Sequence, residues 1–136
     1  SMEVVSVSDP EGTFTSSQSF VDIPGFAVTI TVPDEGAPAT AFVLATLGGG
    51  VYAAGNNVGV AEYRMLLDGT PVESAQQVVM MQNTSSGDKY YEIPVAMHFF
   101  TSLSAGSHTV KLQFRRGTAI LAAAYNRSLS IQLYKR

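Results

Sequence analysis

Apolar and polar side chains alternate with a period of two along most of this chain, a pattern that places successive residues on opposite faces of a pleated sheet. Phe26, Val28, Ile30 and Val32 alternate with Ala27, Thr29 and Thr31; Tyr91, Ile93, Val95, Met97 and Phe99 alternate in the same way. His108, Val110, Leu112 and Phe114 repeat the pattern, and Leu129, Ile131 and Leu133 close it. Turn-forming residues punctuate these runs at Pro24-Gly25, 33–38, Asp68-Gly69, 85–88, 102–107 and Arg116-Gly117. Short strands separated at roughly ten-residue intervals predict an all-β sandwich or barrel of about eight to ten strands rather than βαβ units. Only residues 73–82 are rich in helix formers, and their Val78-Val79 pair reads as strand.

Two hairpins follow from the turn signals. A two-residue Asp68-Gly69 loop, favoured where both central positions need positive φ, pairs Met65 with Val72 and sets Arg64 opposite Glu73. Pairing Thr101 with His108 puts Phe99 against Val110, Met97 against Leu112 and Val95 against Phe114. That register turns one face to the core and leaves Ala96, His98 and Phe100 on the other. The 48–59 stretch, with Gly48, Gly49, Gly50, Gly55 and Gly59 among Tyr52, Asn56 and Asn57, reads as a long connection at one end of the sandwich.

At 136 residues and 46% hydrophobic content the chain fits one domain, residues 1–136, around a single core. Ser1-Met2 reads as a tag remnant ahead of a subcloned domain. With no cysteine, neither a disulfide framework nor a thiolate metal site is available. No run of about 18 apolar residues predicts a membrane span, and no signal peptide is expected. Net charge is −3, but Glu3, Asp9, Glu11, Asp22, Asp34, Glu35 and Glu62 precede the first base, Arg64. After Glu92 only bases follow: Lys111, Arg115, Arg116, Arg127, Lys135 and Arg136. In an acidic chain this asymmetry points to acidic N-terminal strands beside basic C-terminal ones, within or between subunits, and no nucleic-acid partner is expected.

Nothing in the sequence carries a catalytic signature. The two histidines, His98 and His108, fall on opposite faces of the expected hairpin and share no metal. Gly106-Ser107-His108 lacks the surroundings of a nucleophile elbow. No EF-hand or phosphate-loop spacing is present, so no metal and no cofactor are expected. Asn83-Thr84-Ser85 and Asn126-Arg127-Ser128 match the glycosylation acceptor pattern. The tyrosines offer rings with a polar tip suited to sugars. Tyr52, Asn56 and Asn57, an aromatic beside two amides in a loop-like stretch, are the candidate ligand-binding residues.

The succession from Ser19 to Thr31, SFVDIPGFAVTIT, followed by YRMLLDGT from Tyr63 to Thr70, resembles jelly-roll domains of bacteriophage tail-fibre and other virion proteins. The segments LSAGSHTVKLQ from Leu103 and RSLSIQL from Arg127 resemble the late hairpin and closing strand of those domains. Such domains are in turn similar to the trimeric jelly rolls of tumour-necrosis-factor-like and complement-like proteins. The resemblance runs from about Phe14 onward and implies an antiparallel jelly-roll β-sandwich, a homotrimer, and a non-enzymatic structural or attachment role on a virion or cell surface, contacting a cell-surface glycan or other virion proteins. A carbohydrate-binding module appended to an enzyme and a capsid-decoration protein are the alternatives. Parity places His98, Phe100 and Tyr134 on outward positions, which makes them the candidate subunit interface.

Overall fold

The computed structural model describes residues 1–135. Nine strands follow in order: β1 (Met2–Asp9), β2 (Thr13–Thr15), β3 (Val21–Val32), β4 (Ala39–Ala53), β5 (Val58–Leu67), β6 (Thr70–Gln82), β7 (Lys89–Leu103), β8 (Gly106–Arg116) and β9 (Leu121–Tyr134). They form two antiparallel sheets, a front sheet ordered β1-β9-β4-β7 with β2 beside β9, and a back sheet ordered β3-β8-β5-β6. This is a jelly-roll order, in which the chain crosses from sheet to sheet and only β5 and β6 pair with an immediate neighbour in sequence. Among the described residues no helix is long and apolar enough to cross a membrane.

The core is the set of inward positions that the alternation marks out. Phe26, Val28, Ile30 and Val32 of β3, Val95, Met97 and Phe99 of β7, Val110, Leu112 and Phe114 of β8, and Leu129, Ile131 and Leu133 of β9 are all buried. Residues 73–82 fall within β6, as their valine pair predicts.

Three expectations about pairing are corrected. β7 and β8 do not form a hairpin: β7 pairs with β4 in the front sheet, β8 with β3 and β5 in the back. Their apolar faces point into the core from opposite sheets instead of standing along one ladder. In the β5–β6 hairpin, Leu67 pairs with Thr70 as an Asp68-Gly69 turn requires, but Val72, Glu73, Ser74 and Ala75 bulge out opposite Met65. Arg64 therefore faces Gln76 rather than Glu73, and its guanidinium bonds Gln113 Oε1 at 2.9 Å and stacks on Phe20. The 48–59 stretch is not a connection, because Gly48, Gly49 and Gly50 lie inside β4, at the middle of the front sheet, and Gly59 lies in β5. Only residues 54–57 form the crossing turn.

The glycines are needed because neighbouring side chains occupy their Cβ positions. A Cβ on inward-facing Gly49 would come within 2.8 Å of Val95 Cγ2 and 3.2 Å of the Tyr63 hydroxyl. That hydroxyl crosses the core from β5 to donate to Ala123 O at 2.6 Å and Gly50 O at 3.3 Å. Tyr63 is fully buried, and burial raises its phenol well above its ordinary ionisation range.

Tyr63→Phe should cost about 1–2 kcal/mol, the usual net worth of a buried hydrogen bond, and Gly49→Val about 2–3 kcal/mol through overpacking. Urea unfolding of the two variants checks both figures. A Tyr63→Phe variant as stable as the parent would show that the bond across the sandwich contributes nothing.

Candidate functional site

The outer face of the front sheet is built from the even positions of β1, β4 and β7 and of the last part of β9, whose odd neighbours fill the core. In register, Val4 lies beside Gln132, Gln132 beside Phe42, and Phe42 beside Phe100. The next row holds Met2, Tyr134, Thr40 and Ser102, and the row on the other side Ser6, Ser130, Leu44 and His98. Phe100 is 69% exposed, Tyr134 46%, Met2 57% and Val4 54%, so a band of large apolar side chains lies open to solvent. The Phe42 and Phe100 rings stack at 4.6 Å between centroids, with the His98 ring 6.0 Å from Phe42. Parity thus places His98, Phe100 and Tyr134 correctly on outward positions of one face.

On this face, from Thr40 to Gly48 of β4, from Glu92 to Ser102 of β7, and along the outward residues of β1 and the last part of β9, Glu92 is the single fixed charge. The back sheet is the opposite. Asp22 pairs with Lys111 at 3.1 Å and bonds Gln113, and Glu62 pairs with Arg115, whose guanidinium lies over Phe20. At the edge of the sandwich Asp9 pairs with Arg127, and Glu3 with Lys135, both at 2.9 Å. The acidic N-terminal strands therefore meet the basic C-terminal ones within one subunit.

At the other end of the front face a β-bulge shapes a depression. Asn126 and Arg127 of β9 together oppose Leu47 of β4, which reverses the parity of β9. Arg127 turns inward, while Asn126, held at φ 47°, turns outward. Beside it lies an open hollow of about 580 Å3, lined by Thr46, Gly48, Glu92, Pro94, Ala96 and Asn126 among others. A Cβ on Gly48 would run into the Glu92 carboxylate, and one on Gly50 into the Tyr90 hydroxyl, so both side chains lie down over a glycine floor. Tyr90 meets Tyr125 edge-on at 6.1 Å, and Tyr125 meets Phe14 edge-on at 5.7 Å. Burial first, then the Tyr125 hydroxyl and the Glu92 charge, raise the Tyr90 phenol well above its ordinary range and keep it protonated. Sequence reasoning missed Glu92, Thr46 and Asn126. The one available signal was Glu92 as the lone acid of β7, at an outward position.

The candidate ligand residues are not gathered in one place. Tyr52 stands on β4 opposite Tyr90, at the edge of the aromatic group. Asn56 and Asn57 lie in the 54–57 turn, where Asn56 takes φ 58° and Asn57 Nδ2 donates to Gly55 O at 2.7 Å. That turn is fastened to residues 83–88: Asn56 N–H donates to Ser85 O, Gly55 N–H to Asp88 Oδ1, and Asn83 N–H to Asn57 O. Asn83, fully buried, donates its amide to Ala53 O, Ala54 O and Gly87 O, so this acceptor-pattern asparagine has a structural task.

His108 does have a partner, contrary to the expected register. Its Nδ1 lies 2.7 Å from Asp68 Oδ2 and its Nε2 2.8 Å from Ser104 O. Two acceptors on the two ring nitrogens suit the doubly protonated imidazolium, and the Asp68 hydrogen bond followed by the Ser104 carbonyl raises its pKa above 6.5. Burial opposes ionisation of Asp68, but bonds from His108 and from Thr109 N–H outweigh it and bring its pKa below 3.8. Serine contributes its carbonyl here, not its hydroxyl, so the group is no nucleophile–base pair. It ties the β5–β6 turn to the crossing between β7 and β8.

Fold and surface together define a jelly-roll domain with one charge-depleted outer face that exposes large apolar side chains. No protein-family model and no curated protein sequence matches the chain. Solved structures similar to it include dimeric latent PorU from Porphyromonas gingivalis, at TM-score 0.49 and 10% identity over 98% of this chain and 13% of that one. The tripod from the baseplate of bacteriophage Tuc2009 is similar at TM-score 0.45 and 15% identity, over 92% of this chain and 64% of that one. The EclA C-terminal domain, a sugar-binding protein, is similar at TM-score 0.45 and 10% identity, over 89% of this chain and 78% of that one. The chain spans less than two-thirds of the first and second of these, and the jelly-roll assignment rests on strand order.

The His108–Asp68 pair makes stability depend on pH. His108, with its folded pKa above 6.5, contributes fully below 6.5 and loses that contribution as pH rises through the folded value. Asp68, with its folded pKa below 3.8, contributes above 3.8 and loses it as pH falls through the folded value. The stability gap between the parent and Asp68→Asn, which keeps the left-handed turn residue, should therefore be widest near pH 5 to 6 and narrow toward pH 9. With Asp68 46% exposed, the gap should be about 0.5–1 kcal/mol at its widest. Urea midpoints across that range measure it, and a gap that grows toward pH 9 would contradict the assignment.

Proposed function

We propose that this domain is a non-enzymatic structural and attachment module of a phage virion or microbial surface protein, assembled as a homotrimer through the outer face of its front sheet. The observation that carries the reading is the contrast between the sheets. The back sheet bears a ladder of paired charges, while the front face exposes Met2, Val4, Phe100 and Tyr134 and carries one fixed charge. Large apolar patches of this kind mark interaction surfaces, and charge depletion at the centre is their compositional signature. Three-fold closure follows the resemblance to trimeric jelly rolls, with head-to-tail contacts that turn the same face of each subunit toward the axis. Glu3, Asp9, Asp22 and Glu62 find their bases within the subunit, and the front face offers aromatic and aliphatic side chains, so apolar packing, not salt bridges, would hold the ring.

The non-enzymatic reading is supported by the two histidines. His108 has both nitrogens engaged by acceptors, and His98 stands beside Phe42 on the apolar band. Neither is placed to activate a nucleophile.

Light scattering after size-exclusion chromatography should give three times the 14.4 kDa chain mass. Phe100→Asp combined with Tyr134→Asp should shift it toward the monomer, while His108→Ala should leave it unchanged. A stable monomer or dimer at tens of micromolar would overturn the trimer, and a hydrolase screen showing turnover lost in His108→Ala would overturn the non-enzymatic role.

A further inference from the structure

We infer that the depression beside Glu92 is a saccharide-binding site that takes neutral or amino-bearing sugars in preference to anionic ones. Its hydrogen-bonding groups are Thr46, Glu92 and Asn126, and Tyr90 and Tyr125, two residues before Glu92 and one before Asn126 along their strands, adjoin it. The inference does not rest on the assembly: Pro94 at the hollow is six residues along β7 from Phe100, roughly 20 Å at the rise of a strand, so the two sites occupy opposite ends of one face.

A volume of about 580 Å3 is that of a small-molecule site. Its composition is mixed in the way a pyranose requires. Gly48, Pro94 and Ala96 give a floor without charge for the sugar's C–H surface, and the Tyr90–Tyr125 pair adjoins it through Glu92 and Asn126. A small number of polar groups then fix orientation. Thr46, Glu92 and Asn126 differ in chemistry: a hydroxyl that donates and accepts, a carboxylate that only accepts, and an amide that does both. Asn126 commits its main-chain N–H to Pro10 O at 3.4 Å, and the bulge and the left-handed backbone turn the residue outward, to the edge of the hollow. Bulges recur where a side chain must be re-aimed at a site.

Charge sets the preference. Among the described residues Glu92 is the single fixed charge at the outward positions from Thr40 to Gly48 of β4, from Glu92 to Ser102 of β7 and along the last part of β9, where no lysine or arginine stands. A sugar carboxylate or phosphate entering the hollow would meet a carboxylate with no compensating cation. A hydroxyl or an ammonium group would instead donate to it, and hydrogen bonds to a charged acceptor are the stronger kind.

Saturation-transfer NMR on the full chain, with methyl glucoside, N-acetylglucosamine, glucosamine, sialic acid and glucose 6-phosphate at millimolar concentration, tests the inference. Transfer is expected for the first three and not for the last two. Glu92→Gln should weaken glucosamine binding roughly tenfold, and Asn126→Ala should weaken all three sugars by a similar factor. Gly48→Ala, whose Cβ displaces only the mobile end of Glu92, should abolish binding while the melting temperature shows the variant folded. No transfer from any sugar, a preference for the anionic ones, unchanged binding in Glu92→Gln and Asn126→Ala, or displacement of sugar by N-acetyl-lysine amide at lower concentration would each overturn the site. Light scattering on the same samples separates this result from the assembly: a monomer that binds sugar overturns the trimer alone, and a trimer that binds none overturns the site alone.

Discussion

Tyr63 is the tie on which the sandwich depends. Its ring leaves β5, crosses the core and ends on the carbonyls of Gly50 and Ala123 in the facing sheet. A tyrosine can reach that far only if the inward positions of the facing strands carry almost nothing there, and β4 supplies Gly49 while β9 supplies Ala122 and Ala124. The two flanking glycines act on the outside of the sheet. Glu92 and Tyr90 lie flat over Gly48 and Gly50, so three successive glycines of β4 make room for a side chain from another strand, alternately on the outer, inner and outer face.

Charge is distributed with similar economy. Glu3, Asp9, Asp22 and Glu62 find Lys135, Arg127, Lys111 and Arg115 within the subunit, at the back sheet and the edges. Exposed pairs of this kind contribute little stability each. Their effect is on what remains, since the front face is left with aromatic and aliphatic side chains, serines and threonines, and one carboxylate. A long edge strand such as β7 is a hazard for uncontrolled pairing, and Pro94 within it removes one ladder donor.

The inward and outward parity of β3, β7, β8 and β9 could be read from the sequence, because burial on one face imposes a strict period of two. Strand partners could not. In a jelly roll the chain changes sheet after β2, β3, β4, β6, β7 and β8, so the residues flanking a turn, such as Thr101 and His108, end in opposite sheets rather than side by side along one ladder. Glycine misled in the same way: Gly48, Gly49 and Gly50 carry a turn composition, and the space they must leave is filled by Tyr63, Tyr90, Glu92 and Val95, which lie 14 to 46 positions away in the chain from the glycines they meet. The outward aromatics Phe100 and Tyr134 were legible from parity alone. The hollow was not, since it needs a bulge in β9 that one strand's sequence cannot reveal.

That bulge links stability to the site. With Asn126 and Arg127 both set against Leu47, β9 keeps Ala122 and Ala124 inward on one side and Leu129, Ile131 and Leu133 inward on the other. Without the extra residue one of these sets would face solvent. Arg127, turned inward by the change of parity, bonds Asp9 Oδ2 and the carbonyls of Glu11, Pro24 and Ala124, and so fastens the β1–β2 connection and the bulge of β3 to the end of the core. Its Nε is buried without a partner, a cost tolerated because the four other bonds hold the guanidinium in place. The outward turn of Asn126 is then not an independent feature of the surface. It is the other half of the step that buries Arg127, so the geometry of the hollow is held by the packing of the sandwich and not by the loops at its ends.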